Sequence, residues 1–374
     1  HAEGNGTTAS ASSAHSEGMS TSATAQAAHA EGSWSNATGA ASHAQNQNTV
    51  ASGAGASSAG YRTSATGDYA FAIGEGTRED NVIASGRASF ASGYRTEAAK
   101  DYSASFGVQT FANGQGSIAT GFGCSTYGAY SLVGGTSSMT MGTNSLAYGY
   151  RSMAHAPSST ALGGARTGKS GSTLYGENAL ANGFGTVALG NNSASFGAGA
   201  MTGADGNVDA GYGAFANGGQ TTVASGMYSF ANGLSAVASG DYSFASGVLV
   251  EASGNGSIAI GDEAYATGLS SSVLGRGYAS GDYSIACGFD VTASGNRSYA
   301  GGYKTVIDGD ISFGYGLGLK IPGAKYNSSA FGKYNKGNYI DVGGYETLME
   351  VGCGSSDSDR RNAFEAGYVR EQEI

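Results

Sequence analysis

The chain has 374 residues, with 18 basic and 28 acidic side chains, a formal net charge of −10 and only 12% charged residues. That balance argues against nucleic-acid binding and against an anionic membrane surface, and no apolar run reaches the length of a membrane span. Glycine fills 66 positions without a Gly-X-Y period, which excludes collagen, and charge is too sparse for a disordered polyelectrolyte.

The first element is a row of histidines, His1, His15, His29 and His43, fourteen residues apart. Glu3, Glu17 and Glu31 follow two residues later, and Gln45 ends the row. The same spacing then passes to serine, at Ser89, Ser103, Ser117, Ser131, Ser145 and Ser159, and again at Ser229, Ser243, Ser257 and Ser271. After a one-residue slip it continues at Ser284, Ser298 and Ser312. Beneath it runs a glycine every seven residues, unbroken from Gly219 to Gly275 and resuming from Gly288 to Gly316. A chain this periodic is a solenoid and has no single central core.

Each fourteen-residue repeat is two unequal heptads, such as 234–240 and 241–247. Each heptad predicts one short strand and one tight turn, with glycine supplying the positive φ of the turn. Counting back from the glycine, position −2 is alanine (Ala224, Ala231, Ala238, Ala245, Ala252) and position −4 is small. These positions share a strand face, which is expected to line a narrow interior. Position −3 then points outward, yet carries Phe71, Phe90, Ile118, Leu132 and Leu146, and later Phe230, Phe244, Ile258, Ile285, Tyr299 and Phe313. An apolar stripe of that length is expected to be covered by other copies of the chain. The expected fold class is all-β, a parallel β-roll solenoid over residues 1–318 with about 22 coils, on the order of 100 Å long at ~4.8 Å per coil. The glycine phase is lost after Pro322, so residues 319–374 are expected to form a cap or a junction.

Three interruptions, near 75–86, 163–176 and 203–211, are candidate binding loops, because insertions in a solenoid map to its surface. They offer Glu75, Arg78, Glu79 and Asp80 in the first, Arg166 and Lys169 in the second, and Asp205 and Asn207 in the third. The alternative is tolerated decoration. His15, His29 and His43 with Glu17 and Glu31 could form an ion site or a pH-sensitive lock, but a polar hydrogen-bonded row is the favoured reading, so no metal is assigned. A tyrosine row at position −5 (Tyr69, Tyr102, Tyr130, Tyr228, Tyr242, Tyr283) could stack on sugar rings, but packing over neighbouring coils is favoured. Gly163-x4-Gly168-Lys169-Ser170 matches a phosphate-loop pattern but lacks the strand and helix that motif needs. Cys124, Cys287 and Cys353 are far apart and read as small buried residues. No catalytic constellation, cofactor or enzyme activity is expected. The chain opens at His1 within a repeat and is expected to be a fragment or a processed form.

The segments Asn144-Ser145-Leu146-Ala147-Tyr148-Gly149 and Gly256-Ser257-Ile258-Ala259-Ile260-Gly261 resemble the YadA-like head repeat of trimeric autotransporter adhesins. The resemblance implies a left-handed β-roll and an intertwined or side-by-side homotrimer. His15-Ser16-Glu17-Gly18, His29-Ala30-Glu31-Gly32 and the stretch 349–364 resemble segments of tail fibres from phages and prophages of Gram-positive bacteria; Cys353 and Arg361 depart from that pattern. The resemblance implies an extracellular virion tail fibre that attaches to a glycan or protein receptor on bacterial cells and contacts other tail or baseplate proteins. The alternative is a bacterial cell-surface adhesin head. Neither nucleic acid nor membrane insertion is expected.

Overall fold

The computed structural model describes residues 1–167, 176–197, 199, 201–202, 211–219, 221–323, 325–337 and 345–369. It forms two compact units, His1–Thr186 and Val187–Ile374. Every regular element among the described residues is a strand. Lys169, Asp205 and Asn207, and with Lys169 the phosphate-loop-like match, lie outside the described residues.

In the first unit each coil has a long and a short strand, as in Phe90–Tyr94 followed by Glu97–Ala98. Successive coils pair in parallel, residue i with i+14: Ala91 with Ser105, and Gly93 with Gly107. The five extra residues after Gly74 leave this register intact, since Phe71 pairs with Phe90 and Gly74 with Gly93. Ala91, Ala98, Ala112 and Ala119 are wholly buried at position −2, as the alternation requires. Hydroxyl pairs also bridge this interior, Ser16 to Thr21 at 2.8 Å, Ser58 to Thr63 at 2.7 Å and Ser105 to Thr110 at 2.7 Å. They satisfy polar groups that would otherwise be costly to bury.

The second unit repeats the coil with larger apolar side chains in an interior that keeps buried serines such as Ser243, Ser257 and Ser271. Three longer strands, Ile258–Ala266, Ser272–Ala279 and Ile285–Ala293, run through the corner between the two strand positions. The register shifts at Gly275/Gly277, where one coil is a residue short, and this is the source of the slip in the serine series. Val250, Val273, Val291, Ile307, Leu319 and Ile321 are buried there, so the interior admits side chains larger than the alanine and serine expected. Ile307 is accommodated because Gly314 replaces the usual alanine; a Cβ at Gly314 would lie 2.3 Å from the Ile307 Cδ1. Where no such compensation exists, enlargement should strain the coil. Ala245 is wholly buried between Ala231 and Ala259 of the adjacent coils. Ala245→Leu is expected to lower stability by roughly 1–3 kcal/mol, read by denaturant unfolding; an unchanged transition would mean that Ala245 does not face the interior.

The glycine period has two causes, only one of them expected: alternate glycines such as Gly233, Gly247 and Gly261 do have positive φ, at 130–141°, but within the long strands and not at the turns. The left-handed residues at the turns are mostly not glycine: Tyr69, Tyr102, Tyr130, Tyr228, Tyr242 and Tyr283 have φ between 52 and 61°. Their amides still reach the preceding coil, as in Tyr242 N–H to Met227 O at 2.8 Å, and this hydrogen bond holds the unfavourable conformation in place. The periodic glycines are required where backbones of adjacent coils meet. A Cβ on Gly247 would stand 1.8 Å from the carbonyl oxygen of Gly261, and one on Gly240 2.2 Å from that of Gly254. The serine at position −4 closes the same turn: Ser229, Ser117 and Ser145 donate from Oγ to the carbonyl three residues earlier at 2.6–2.7 Å. A further row, absent from the sequence reading, lines the corner. Asp241, Asn255, Asp282, Asn296 and Asp310 each accept a backbone N–H of the preceding coil at 2.7–3.1 Å.

The parallel ladder continues past residue 318: Ser329–Lys333 pairs with Phe313–Leu317, and then with part of Tyr345–Cys353. There the chain reverses, and Asn362–Val369 pairs antiparallel with Tyr345–Cys353. Buried Glu350 accepts hydrogen bonds from Asn335 Nδ2 at 2.6 Å and from the Gly337 amide at 3.1 Å. Arg360 donates to the carbonyls of Gly318 and Asn335 at 2.7 and 3.3 Å.

Candidate functional site

The outward face of the long strands carries more apolar surface than the sequence suggested. Positions −3, −1 and +1 all point out, because side chains alternate along a five-residue strand. In the first unit Ile118, Leu132, Phe106, Phe122 and Tyr148 are exposed. In the second, Ile258, Ile285, Leu234, Val248 and Leu274 are exposed. The aromatic members stack coil on coil, Phe71 on Phe90 at 5.0 Å and Phe230 on Phe244 at 4.8 Å.

The loop at 75–81 gathers a constellation of exposed polar groups. Glu75 ends the strand Phe71–Glu75 and is exposed, as are Arg78, Glu79 and Asp80. Gly76 N–H to Tyr61 O (2.7 Å) and Val82 N–H to Arg62 O (3.2 Å) anchor the two ends of the loop. Thr77 closes it: its amide reaches Asp80 O at 2.6 Å, and its Oγ1 accepts the Asp80 amide at 3.0 Å. Two arginines from the flanking coils clamp it. Arg62 donates to the carbonyls of Thr77 and Arg78, each at 3.5 Å, and Arg95 forms an ion pair with Asp80. A depression of about 270 Å³ results, lined by Arg62, Arg78, Glu79, Asp80, Asn81, Ile83, Arg95, Glu97 and Phe111. The side chains of Arg78, Glu79 and Glu97 make no hydrogen bond or ion pair with the described residues, and the Arg95 Nε is shielded without a partner. The site thus offers free donors and acceptors beside an aromatic ring. Arg62, Arg95, Glu97 and Phe111 escaped the sequence reading. Their signal was the repeated Gly-Tyr-Arg-Thr, at 60–63 and 93–96, on either side of the insertion.

A second depression of about 270 Å³ lies in the other unit, where the coil is one residue short, and is lined by Glu263, Arg276, Gly277, Tyr278, Asp290 and Thr292. Its charges are already satisfied. Arg276 pairs with Glu263, lies 3.2 Å from Asp290 and sits 5.3 Å above the Phe289 ring. This triad ties three coils together and has no free charge to offer a ligand.

The remaining candidates take the following places. His1, His15, His29 and His43 stack in one row with centroids 4.7–4.9 Å apart, and Glu17 and Glu31 pair in the same register. Arg166 lies in the short strand Arg166–Thr167. It acts on buried His155, whose pKa is held below the ordinary value first by burial and then by the Arg166 charge. The tyrosine row is more than half exposed and packs over the preceding coil: a Cβ on Gly55 would lie 2.9 Å from the Tyr69 ring. Of the cysteines only Cys124 is buried; Cys287 is partly so, and Cys353 is exposed on the terminal hairpin, contrary to expectation.

No curated protein matches the chain. Residues 51–77, 98–123, 135–165, 175–200, 224–248 and 252–277 match the family model of the YadA head domain repeat. The match at 51–77 takes in the paired strands Ser57–Tyr61 and Phe71–Glu75, and that at 224–248 takes in Phe230–Leu234 and Phe244–Val248, so the matched segments are turns of the solenoid. The chain therefore carries YadA head domain repeats in both of its units, folded as parallel β-solenoid with fourteen-residue coils.

Proposed function

We propose that the chain is a structural and adhesive segment of an extracellular homotrimer, a tail fibre of a phage or a phage-derived particle that holds a receptor-binding surface against bacterial cells. The observation that carries this reading is the outward apolar face. Three columns of large side chains, repeated coil after coil, leave more exposed hydrocarbon than an isolated soluble chain normally shows. Side-by-side copies would cover it and leave the opposite face, with its polar turns, in solvent. Residues 319–374 serve as cap or junction: the parallel ladder ends in the antiparallel pairing of Asn362–Val369 with Tyr345–Cys353, so the coil does not continue in register.

A bacterial surface adhesin head is the second reading, favoured by the match to the YadA head domain repeat itself. The two differ in what flanks the segment, a baseplate-attachment domain for the fibre and a membrane anchor for the adhesin.

The loop at 75–81 is the receptor-contacting site on either reading. Its unpaired Arg78, Glu79 and Glu97 around Phe111 suit a hydroxyl-rich glycan or a polar peptide. The test is binding of the purified assembly to intact cells, with soluble glycans and surface proteins as competitors. Arg78→Ala with Glu79→Ala is expected to reduce cell binding about fivefold or more, because two polar contacts are worth roughly 1–3 kcal/mol together, while mass and melting stay unchanged. Undiminished binding would move the receptor site elsewhere.

A further inference from the structure

We propose that the histidine row at the start of the chain is a transition-metal site, with Zn²⁺ or an ion of similar preference held between His29, Glu31 and His43. One donor atom from each of these residues lies within 4.8 Å of the others. Glu31 is shared between two imidazoles, with His29 Nε2 at 3.9 Å from Oε2 and His43 Nε2 at 3.5 Å from Oε1. The sharing arises because the carboxylate row stops one coil before the histidine row: position 45, where the next glutamate would stand, is Gln45.

The nitrogens are unengaged. The Nε2 atoms of His15, His29 and His43 are shielded from solvent and make no hydrogen bond, although a carboxylate oxygen stands 3.5–3.9 Å from each. A polar interface of imidazoles donating to carboxylates, the reading the sequence favoured, would have closed those contacts to about 2.8 Å. The observed separations are closer to the edge of a tetrahedron around zinc, about 3.4 Å for metal–ligand bonds of about 2.0–2.1 Å. Two imidazoles and a carboxylate are a donor set that borderline ions accept and that Ca²⁺ and Mg²⁺ do not prefer. The two rings stack with centroids 4.7 Å apart and 12° between their planes, so their in-plane lone pairs run side by side, and the rings must rotate toward Glu31 before their nitrogens reach the separation of about 3.4 Å that a tetrahedral ion requires. Both side chains are about 40% exposed, which leaves room for that rotation about the side-chain torsions without moving the backbone. The fourth position stays open to water or to a ligand from another molecule.

The earlier steps, His1 with Glu3 and His15 with Glu17, repeat the geometry at 3.3 and 3.7 Å. In them each histidine has its own carboxylate, which makes them weaker secondary positions. Residues 1–50 lie outside every segment matched to the head repeat. The inference does not depend on assembly or on receptor binding, since all three ligands come from one chain.

The test uses the full chain without a purification tag, stripped with EDTA and titrated calorimetrically with ZnCl₂, with CaCl₂ as the comparison. The expected result is saturable zinc uptake at micromolar concentration, absent for calcium, with a rise in melting temperature because the ion binds the folded coil only. Glu31→Gln and His29→Asn should each weaken the uptake at least about tenfold, as loss of a ligand costs no less than loss of its supporting contact. Asp68→Asn, exposed in the same unit but away from the row, should leave it unchanged. Circular dichroism establishes that the variants keep the β-fold; all three positions are at the outer surface, where substitution leaves the interior intact. X-ray absorption of the zinc-loaded chain should show imidazole back-scattering. Absence of saturable zinc uptake overturns the proposal. Affinity that survives Glu31→Gln also overturns it, since zinc would then be held by surface imidazoles alone.

Discussion

A single methyl group at position 247 is expected to open the ladder between adjacent coils. Gly247 lies inside the strand Phe244–Val248 with φ +141°, a conformation L-residues rarely adopt, and its added Cβ would stand 1.8 Å from the Gly261 carbonyl oxygen. Both facing atoms belong to backbone, so no rotamer change relieves the contact. The adjacent coils must separate, and the bonds that pair Ala245 with Ala259 and Val248 with Asp262 loosen with them. Gly247→Ala should cost roughly 3 kcal/mol or more, among the larger effects of one substitution. Tyr242→Gly is the informative partner. It deletes a large side chain, but from a residue already at φ +58°, where glycine is the better fit. Its cost should be the smaller of the two, as read from denaturant midpoints. If Gly247→Ala melts like the parent protein, close approach of the coils is not what maintains the glycine period.

Replacing Phe230 and Phe244 together by aspartate is expected to abolish assembly while sparing the fold. The two rings stack at 4.8 Å on the outward face, with positions 231 and 245 buried behind them. In a separate chain the new carboxylates would sit in water at little cost. In a trimer six of them would be buried without partners, at several kcal/mol each. Analytical ultracentrifugation should therefore report a trimer for the parent and separate chains for the variant, with unchanged circular dichroism. A parent that sediments as a single chain, or a variant that keeps its assembly, would refute the interface.

The periodicity of the sequence alone determined the coil. Fourteen residues per repeat with alternation inside each strand leave one choice for the inward positions, and Ala91, Ala238 and Ala245 are buried accordingly. The stacking of His15, His29 and His43 was equally legible, because in a parallel ladder residue i must lie over residue i+14. Distances between backbones leave no mark in a sequence. The positive φ expected of the glycines holds at alternate positions such as Gly247, but their need to let carbonyls of adjacent coils pass, at Gly240 as at Gly247, was not legible. The turns could take Tyr69 or Tyr242 at positive φ because the hydrogen bonds of the coil hold that conformation, whatever the residue. The loop at 75–81 was visible as an insertion, but the depression beside it was not. Arg62, Arg95, Glu97 and Phe111 reach it from neighbouring coils. Likewise the row of histidines was plain in the sequence, while only the folded chain placed their unbonded nitrogens around Glu31. Arg62 and Phe111, 49 residues apart, line one depression because the coils stack, and that convergence is set by tertiary structure.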